Sequence, residues 1–391
     1  MPFLKYVIIL SVLLLLPDIY IYRYYIAQTK ISKWIKRSYW LLDALIVVVL
    51  VAFLLHPVRM GATGMHESII AIFIIIFGKF SFFLVSAPGR IFFHRKKKIM
   101  RYFNIAAVLF SLFIIGCVLY SFIYGYKRYV VKEITVYAKG LPKSYDGYRI
   151  VQFSDLHIGS FHNENDKNVK HIVDLINHQR GNLIVFTGDL INVQANELNG
   201  FQKILSQLSA PDGVYSILGN HDYGKYRRWD SPQVEAANLS QIKASQHSFG
   251  WHLLLNQSVM LHRGDSCIAL LGSEDYGEKA AYKYGDLNKA LSTLPNKGKG
   301  LYKILLTHDP THWHLKVLPE TDIQLTLSGH THAMQLKIGS FSPCEWLFDE
   351  WDGLYAVGNR ELYVDTGVGA LMSYRYGAWP QISVITLKRI N

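Results

Sequence analysis

The spacing of apolar and polar positions divides the chain in two. Over residues 1–125 the apolar residues come in long runs: Tyr6–Tyr22, Tyr39–His56, Ile69–Ala87 and Phe103–Tyr124. A bilayer core takes about 20 apolar residues per helix, so each run predicts a membrane-spanning helix. The fourth run carries no charge between Arg101 and Lys127. The first is interrupted by Pro17 and Asp18 and is followed by no small-x-small cleavage site, so it reads as an uncleaved helix. Asp43 and Lys79 sit inside the second and third runs, near the same predicted membrane face, and are expected to pair.

Beyond residue 128 the runs shorten. Ile134–Tyr137 predicts a strand, and Gly140-Leu-Pro a turn after it. Buried strands are predicted at Arg149–Phe153, Leu183–Phe186, Val214–Leu218, Cys267–Leu271, Ile304–Leu306, Ile323–Leu327, Leu362–Val364 and Ile382–Leu387. Val169, Ile172, Val173 and Ile176 recur at helical spacing, which predicts a helix over Asp166–His178. Phe201, Ile204, Leu205 and Leu208 predict a second. Strands alternating with helices give an α/β sandwich with helices outside two packed sheets. The expected organisation is a four-helix membrane domain over 1–128, a junction over 129–147, and a sandwich domain over 148–391.

Charge sharpens the division. Charged residues make up 18% of the chain, against about 25% in soluble domains. The net charge of +12 resembles a nucleic-acid signal until it is located. Residues 1–128 hold 16 Lys and Arg against three acidic residues, and the rest is close to balanced. That leaves no basic groove for nucleic acid. Arg23, Lys30, Lys33, Lys36 and Arg37 lie between the first two runs, and Arg90, Arg95, Lys96, Lys97, Lys98 and Arg101 between the last two. Between the second and third runs there is only Arg59. The positive-inside rule then puts everything after about residue 126 outside the cytoplasm. Three cysteines without a CxxC spacing argue against a zinc knuckle.

Five short motifs follow five of the predicted strands. They are Ser-Asp155-Leu-His157, Thr-Gly-Asp189, Gly-Asn220-His221-Asp222, Thr-His308-Asp-Pro and Ser-Gly-His330-Thr-His332. In α/β sheets, loops at strand C-termini are where ligands bind. Asp155, His157, Asp189, Asn220, His308, His330 and His332 offer three oxygen and four imidazole ligands. That mixed set suits Mn, Fe or Zn better than Mg or Ca. Two such ions a few ångströms apart clamp both oxygens of an in-line displacement at phosphorus.

This order of motifs, over about residues 146–391, resembles the calcineurin-like metallophosphoesterase superfamily. The runs Gly147-Tyr-Arg-Ile-Val-Gln-Phe-Ser-Asp-Leu-His and Leu362-Tyr-Val-Asp-Thr-Gly-Val-Gly resemble its membrane-associated phosphodiesterase branch, some of whose members act on UDP-diacylglucosamine. The resemblance implies a four-layer α-β-β-α sandwich. It implies that Asp155, His157 and His332 hold one divalent ion, that Asn220, His308 and His330 hold the other, and that Asp189 bridges them. A hydroxide shared by the two ions would be the nucleophile, and His221 the general acid. Asp222 would orient His221 or cap its loop. Arg375, in Ser373-Tyr-Arg-Tyr-Gly, is a candidate phosphate fork. The segment Tyr223–Gly250, with Lys225, Arg227, Arg228 and Trp229, is a candidate lid or headgroup clamp. The branch usually continues Gly-His-Thr-His-Gly-Gly-Gln, whereas this chain has Ala333 and Met334 at the two glycines.

The expected function is a membrane-anchored phosphohydrolase that cleaves a phosphodiester, phosphomonoester or pyrophosphate, with a lipid headgroup among its candidate substrates. The alternatives are a nucleotide phosphodiesterase, and a membrane receptor that uses the fold without catalysis. The intact ligand set and His221 weigh against the receptor.

Overall fold

The computed structural model describes residues 14–55, 62–164, 166–277 and 283–390. The chain forms two compact units, 1–123 and 124–391.

The first unit is helical: a helix over 14–21, then Lys33–Leu55, Ala62–Phe93 and Lys97–Ile123. Four spanning helices were expected. Among the described residues, two helices are long and apolar enough to cross a membrane, Ile70–Phe93 and Lys97–Lys127. The first apolar run lies largely outside the described residues, and the second falls within the helix Lys33–Leu55 as far as residue 55, His56 lying outside the described residues. The expected pair forms, with Lys79 Nζ 2.8 Å from Asp43 Oδ1. Asp18, which reads in the sequence as a break in a run, joins it at 2.7 Å from the same ammonium. Burying two carboxylates around one lysine is tolerable because each has a direct ionic partner.

The second unit holds twelve strands: β1 (Val130–Lys139), β2 (Tyr148–Phe153), β3 (Leu183–Phe186), β4 (Val214–Ser216), β5 (His252–Leu253), β6 (Gln257–Arg263), β7 (Ser266–Gly272), β8 (Lys303–Leu306), β9 (Leu325–Ser328), β10 (Gly353–Val357), β11 (Arg360–Val364) and β12 (Gln381–Ile390). They form two mixed six-stranded sheets, ordered β1-β12-β2-β3-β4-β5 and β10-β11-β9-β8-β7-β6. The period-2 alternation explains the layering. Along β3, Leu183 and Val185 face one core while Ile184 and Phe186 face another. Along β8, Ile304 and Leu306 face the core shared by the sheets, and Leu305 faces outward. The outer face of the first sheet is covered by the helix Lys167–His178 through Val169, Ile172, Val173 and Ile176. The outer face of the second is covered by Leu287, Ala290, Trp313 and Val317.

Strands β5, β6 and β10 were not anticipated. The residues of β6 are largely half-exposed and polar, and the strand exists because it pairs antiparallel with β7. The helix expected around Phe201–Leu208 is one turn, Gln202–Leu205. Strands β2, β3 and β4 run parallel, as do β7, β8 and β9, so each set opens its C-terminal ends on one side.

Candidate metal centre

The five motifs sit on the loops that leave β2, β3, β4, β8 and β9. The structure gathers six of the seven expected ligands into two groups: Asp155, His157 and His332, and Asp189, His308 and His330. The seventh, Asn220, places Oδ1 3.0 Å from His308 Nε2. Asp189 Oδ2 lies 3.2 Å from His308 Nε2 and 3.7 Å from His157 Nε2, so one carboxylate borders both groups. Asp155, His157, Asp189, His330 and His332 all have positive φ, between 45° and 76°. Non-glycine residues rarely adopt that backbone, and where they do the strain marks a functional constraint.

Hydrogen bonds on the outer side of the imidazoles fix which nitrogen faces inward. His308 Nδ1 donates to the Thr187 carbonyl at 2.8 Å, and His157 Nδ1 to the Ile191 carbonyl at 3.2 Å. Each ring then turns its Nε2 inward, the atom that would ligate a metal. Asn220 is oriented in the same way, because its Nδ2 donates to the Tyr226 hydroxyl at 2.7 Å and so turns its oxygen to the centre. Around His308 Nε2 the neighbours are Asp189 Oδ2, Asn220 Oδ1 and His330 Nδ1, the last at 3.2 Å. His157 Nε2 and His332 Nε2 stand 3.2 Å apart in the other group. Nitrogen and oxygen donors converging at these distances could hold a cation among them.

The protonation states divide. Against the lowering effect of burial, Asp189 holds His308 well above its ordinary value, so in the absence of a cation that ring keeps a proton which a bound metal would displace. Burial lowers His157 to about 3 and holds His330 and His332 below their ordinary values, which keeps these rings neutral and able to ligate. Burial pushes Asp155 up to about 7, a cost that divalent cations would offset. Against the raising effect of burial, the His308 and His221 imidazoles hold Asp189 well below the usual carboxylate range. The donor set and its geometry fit two divalent ions.

His221 stands beside the groups and belongs to neither. Its Nδ1 lies 2.7 Å from the Asn192 carbonyl, and its ring stacks on Tyr226 with centroids 4.2 Å apart.

Two expectations are corrected here. Asp222 does not orient His221. Its Oδ1 accepts from the amides of Leu190 (2.9 Å) and Ile191 (3.2 Å), and its Oδ2 from those of Asp189 (3.0 Å) and Gly219 (2.9 Å). It ties the β3 loop to the β4 loop. Asp222→Ala is therefore expected to cost roughly 3 kcal/mol of stability, since it strands four buried amides. Thermal unfolding checks this; an unchanged melting temperature would contradict the tie.

Nor is Arg375 an open phosphate fork. It is fully buried and donates to the carbonyls of Ala378 (2.9 Å), Thr366 (2.8 Å) and Gly369 (2.6 Å). Its Nη2 also lies 3.1 Å from His332 Nδ1, so it backs the centre from behind.

Arg227 is half-buried, hydrogen-bonded to Gln194 and packed over the Trp229 ring at 4.5 Å, while Arg228 is exposed. Within the candidate lid, Pro232–Ser248 is a helix capped by Ser231. Three contributors were not foreseen. Tyr226 touches both Asn220 and His221, yet five residues of loop separate it from Asn220. Asn192 acts through a main-chain carbonyl, which no side-chain motif reveals. Asp309, buried, lies 3.8 Å from His330 Nε2, on the side of the ring away from the centre.

Comparison with known proteins points the same way. A family model described as calcineurin-like phosphoesterase matches residues 148–334. The uncharacterized metallophosphoesterase YkuE of Bacillus subtilis (strain 168) is 31% identical over 283 residues, which cover 68% of this chain and 91% of that protein. A transmembrane protein with metallophosphoesterase domain from Danio rerio is 29% identical, over 66% of this chain and 57% of that protein. The UDP-2,3-diacylglucosamine pyrophosphatase LpxG of Chlamydia muridarum (strain MoPn / Nigg) is 26% identical, over 63% of this chain and 86% of that protein.

Proposed function

From the chain's membership of the calcineurin-like phosphoesterase family, which makes it a hydrolase of phosphoric esters, we propose that it is a membrane-anchored two-metal phosphohydrolase acting on a phosphodiester, phosphomonoester or pyrophosphate. Asp155, His157 and His332 would hold one ion, Asn220, His308 and His330 the other, and Asp189 both. The observation that carries this reading is the convergence of imidazole nitrogens and carboxylate and amide oxygens into two groups around His308 Nε2 and His157 Nε2. When bound, such ions lower the pKa of water toward neutrality and neutralise charge on the phosphoryl oxygens.

The remaining work falls to the chain's own side chains. His221 keeps its Nδ1–H on the Asn192 carbonyl, so the proton it gives to the leaving oxygen is the one on Nε2. The neutral ring left behind retains the same hydrogen bond, so it needs no rearrangement before the next turnover. Tyr226 keeps the Asn220 amide and the His221 ring in place together. Arg227, fixed by Gln194 and Trp229, supplies a positive charge near the mouth for a second anionic group of the substrate.

The test is hydrolysis of an aryl phosphodiester and its monoester by purified protein with added Mn. Turnover that EDTA abolishes and Mn restores is expected, and the ratio of the two rates narrows the substrate class. Metal-independent turnover, or two bound ions with no ester of any kind cleaved, would overturn the reading.

We also infer a multi-pass membrane domain over 1–128, with the catalytic domain outside the cytoplasm, on the loop charges and on the two helices Ile70–Phe93 and Lys97–Lys127. A reporter active only outside the cytoplasm, fused after Asn391, is expected to be active. Activity only of a cytoplasmic reporter would reverse the topology. The similarity to LpxG favours a lipid-linked phosphoester among the substrate classes.

A further inference from the structure

We propose that the loops beside His332 form an apolar surface that seats on a lipid bilayer and presents the metal centre to phosphoesters carried by membrane lipids; this rests on the hydrolase reading above. Met334, Ile338, Phe341, Trp346, Leu371 and Met372 are all exposed, Trp346 by 72% and Ile338 by 61%. The loops that carry them are tied to one another. The Ile338 amide donates to the Phe341 carbonyl at 2.9 Å, and Phe341 packs edge-on against Trp346 with centroids 5.6 Å apart. Gln335 Nε2 donates to the Met372 carbonyl at 3.0 Å, and the Lys337 amide to the Tyr376 carbonyl at 2.7 Å, which ties the two loops together. Soluble surfaces seldom leave so many large apolar side chains side by side unless something covers them.

The backbone beneath this surface is held in an unfavourable state. His332, Ala333, Met334 and Gln335 all have positive φ, between 47° and 58°. Glycine enters that region freely, and other residues do so only at a cost. The chain nevertheless carries a large apolar side chain at Met334, two positions from His332, and leaves it exposed. A strained residue that exposes nearly half of a large apolar side chain fits an outside partner better than packing alone.

The start of the same unit says what that partner is. Val130 donates to the Pro380 carbonyl at 2.8 Å, and the Arg128 guanidinium lies 4.7 Å from the centre of the Trp379 ring. Gly125 runs so close to the Arg375 carbonyl that a Cβ there would sit 2.0 Å from its oxygen. The first residues of the unit therefore lie on the loop that also carries Leu371 and Met372. The helix Lys97–Lys127 is long and apolar enough to cross a membrane. Tyr124, Tyr126, Lys127 and Arg128 at its end are the residue types of a membrane–water interface. A chain that leaves the bilayer at 124–128 keeps that loop within a few residues of the lipid. Glu345 and Asp349 are exposed in the same segment, so contact is by apolar insertion and depends little on salt or on anionic lipid. The substrate class that gains is an amphiphile whose phosphoester lies at headgroup level; a free nucleotide gains nothing from this surface.

The test uses the full chain in phosphatidylcholine vesicles, with its three native cysteines replaced by serine and hydrolysis of an aryl phosphate ester as a check on folding. A nitroxide is placed at Trp346→Cys or at Asn296→Cys, the latter in the exposed loop before β8. The expected result is that position 346 is accessible to oxygen from the lipid phase and shielded from a water-soluble nickel complex, and position 296 the reverse. The paired variant Ile338→Ser with Trp346→Ser is expected to lower turnover of a phosphoester on a diacyl lipid, relative to the soluble aryl ester, by about tenfold. If position 346 is as open to the nickel complex as 296 while the aryl ester is still cleaved, the surface is wrong and the hydrolase reading stands. If neither ester is cleaved with metal present, the hydrolase reading fails, and the substrate half of this proposal fails with it.

Discussion

Replacing Asp189 by alanine is expected to reduce metal-dependent turnover by at least about a thousandfold, because this residue is proposed to hold both ions. The reason is positional. Its Oδ2 borders His308 Nε2 at 3.2 Å and His157 Nε2 at 3.7 Å, so it contributes negative charge to both ligand groups. Its Oδ1 accepts the His221 amide at 2.8 Å, so the same carboxylate also fixes the loop that carries the acid. Asp189→Asn is the sharper variant, since it keeps the shape and removes the charge. Metal content per chain, read together with turnover and melting temperature, distinguishes the outcomes. Loss of bound metal with the fold intact is expected. Two ions retained with ordinary turnover would mean that Asp189 does not bridge.

His221→Ala is expected to slow hydrolysis by about 10²–10⁴-fold while both ions stay bound. His221 lies outside both ligand groups, and its ring is held by Asn192 and Tyr226. The loss should depend on the leaving group. A nitrophenolate departs without a proton, so a nitrophenyl ester should lose less than an alkyl ester. Rates for the two esters, wild type against variant, give the answer. An equal loss for both would mean that His221 binds the phosphoryl group rather than protonating the leaving oxygen.

These expectations differ in how far they could be read from the chain. The residues that the structure gathers at the centre were legible as candidates because each motif is local: a strand, a tight turn, and one or two donors within three residues. Of the two roles open to Asp222 the structure shows the loop cap and not the orientation of His221, for a physical reason. Its neighbour in sequence is His221, but its partners are the amides of Asp189, Leu190 and Ile191, on the loop of another strand. Arg375 was misread because a guanidinium near the end of a chain looks accessible until the carbonyls that enclose it are seen.

By itself, then, the sequence determined the division of the chain at about residue 125, the order of most strands, and the donors of a metal centre, because periodicity and short motifs act over a few residues. Tertiary structure alone decided which donors share an ion-sized space and which ring nitrogen faces it. It also decided that Asp222 ties loops together, that Arg375 backs His332 from within, and that Met334 and Trp346 are left exposed. Each of those depends on residues distant along the chain being brought together by the pairing of strands, a contact that no local pattern encodes.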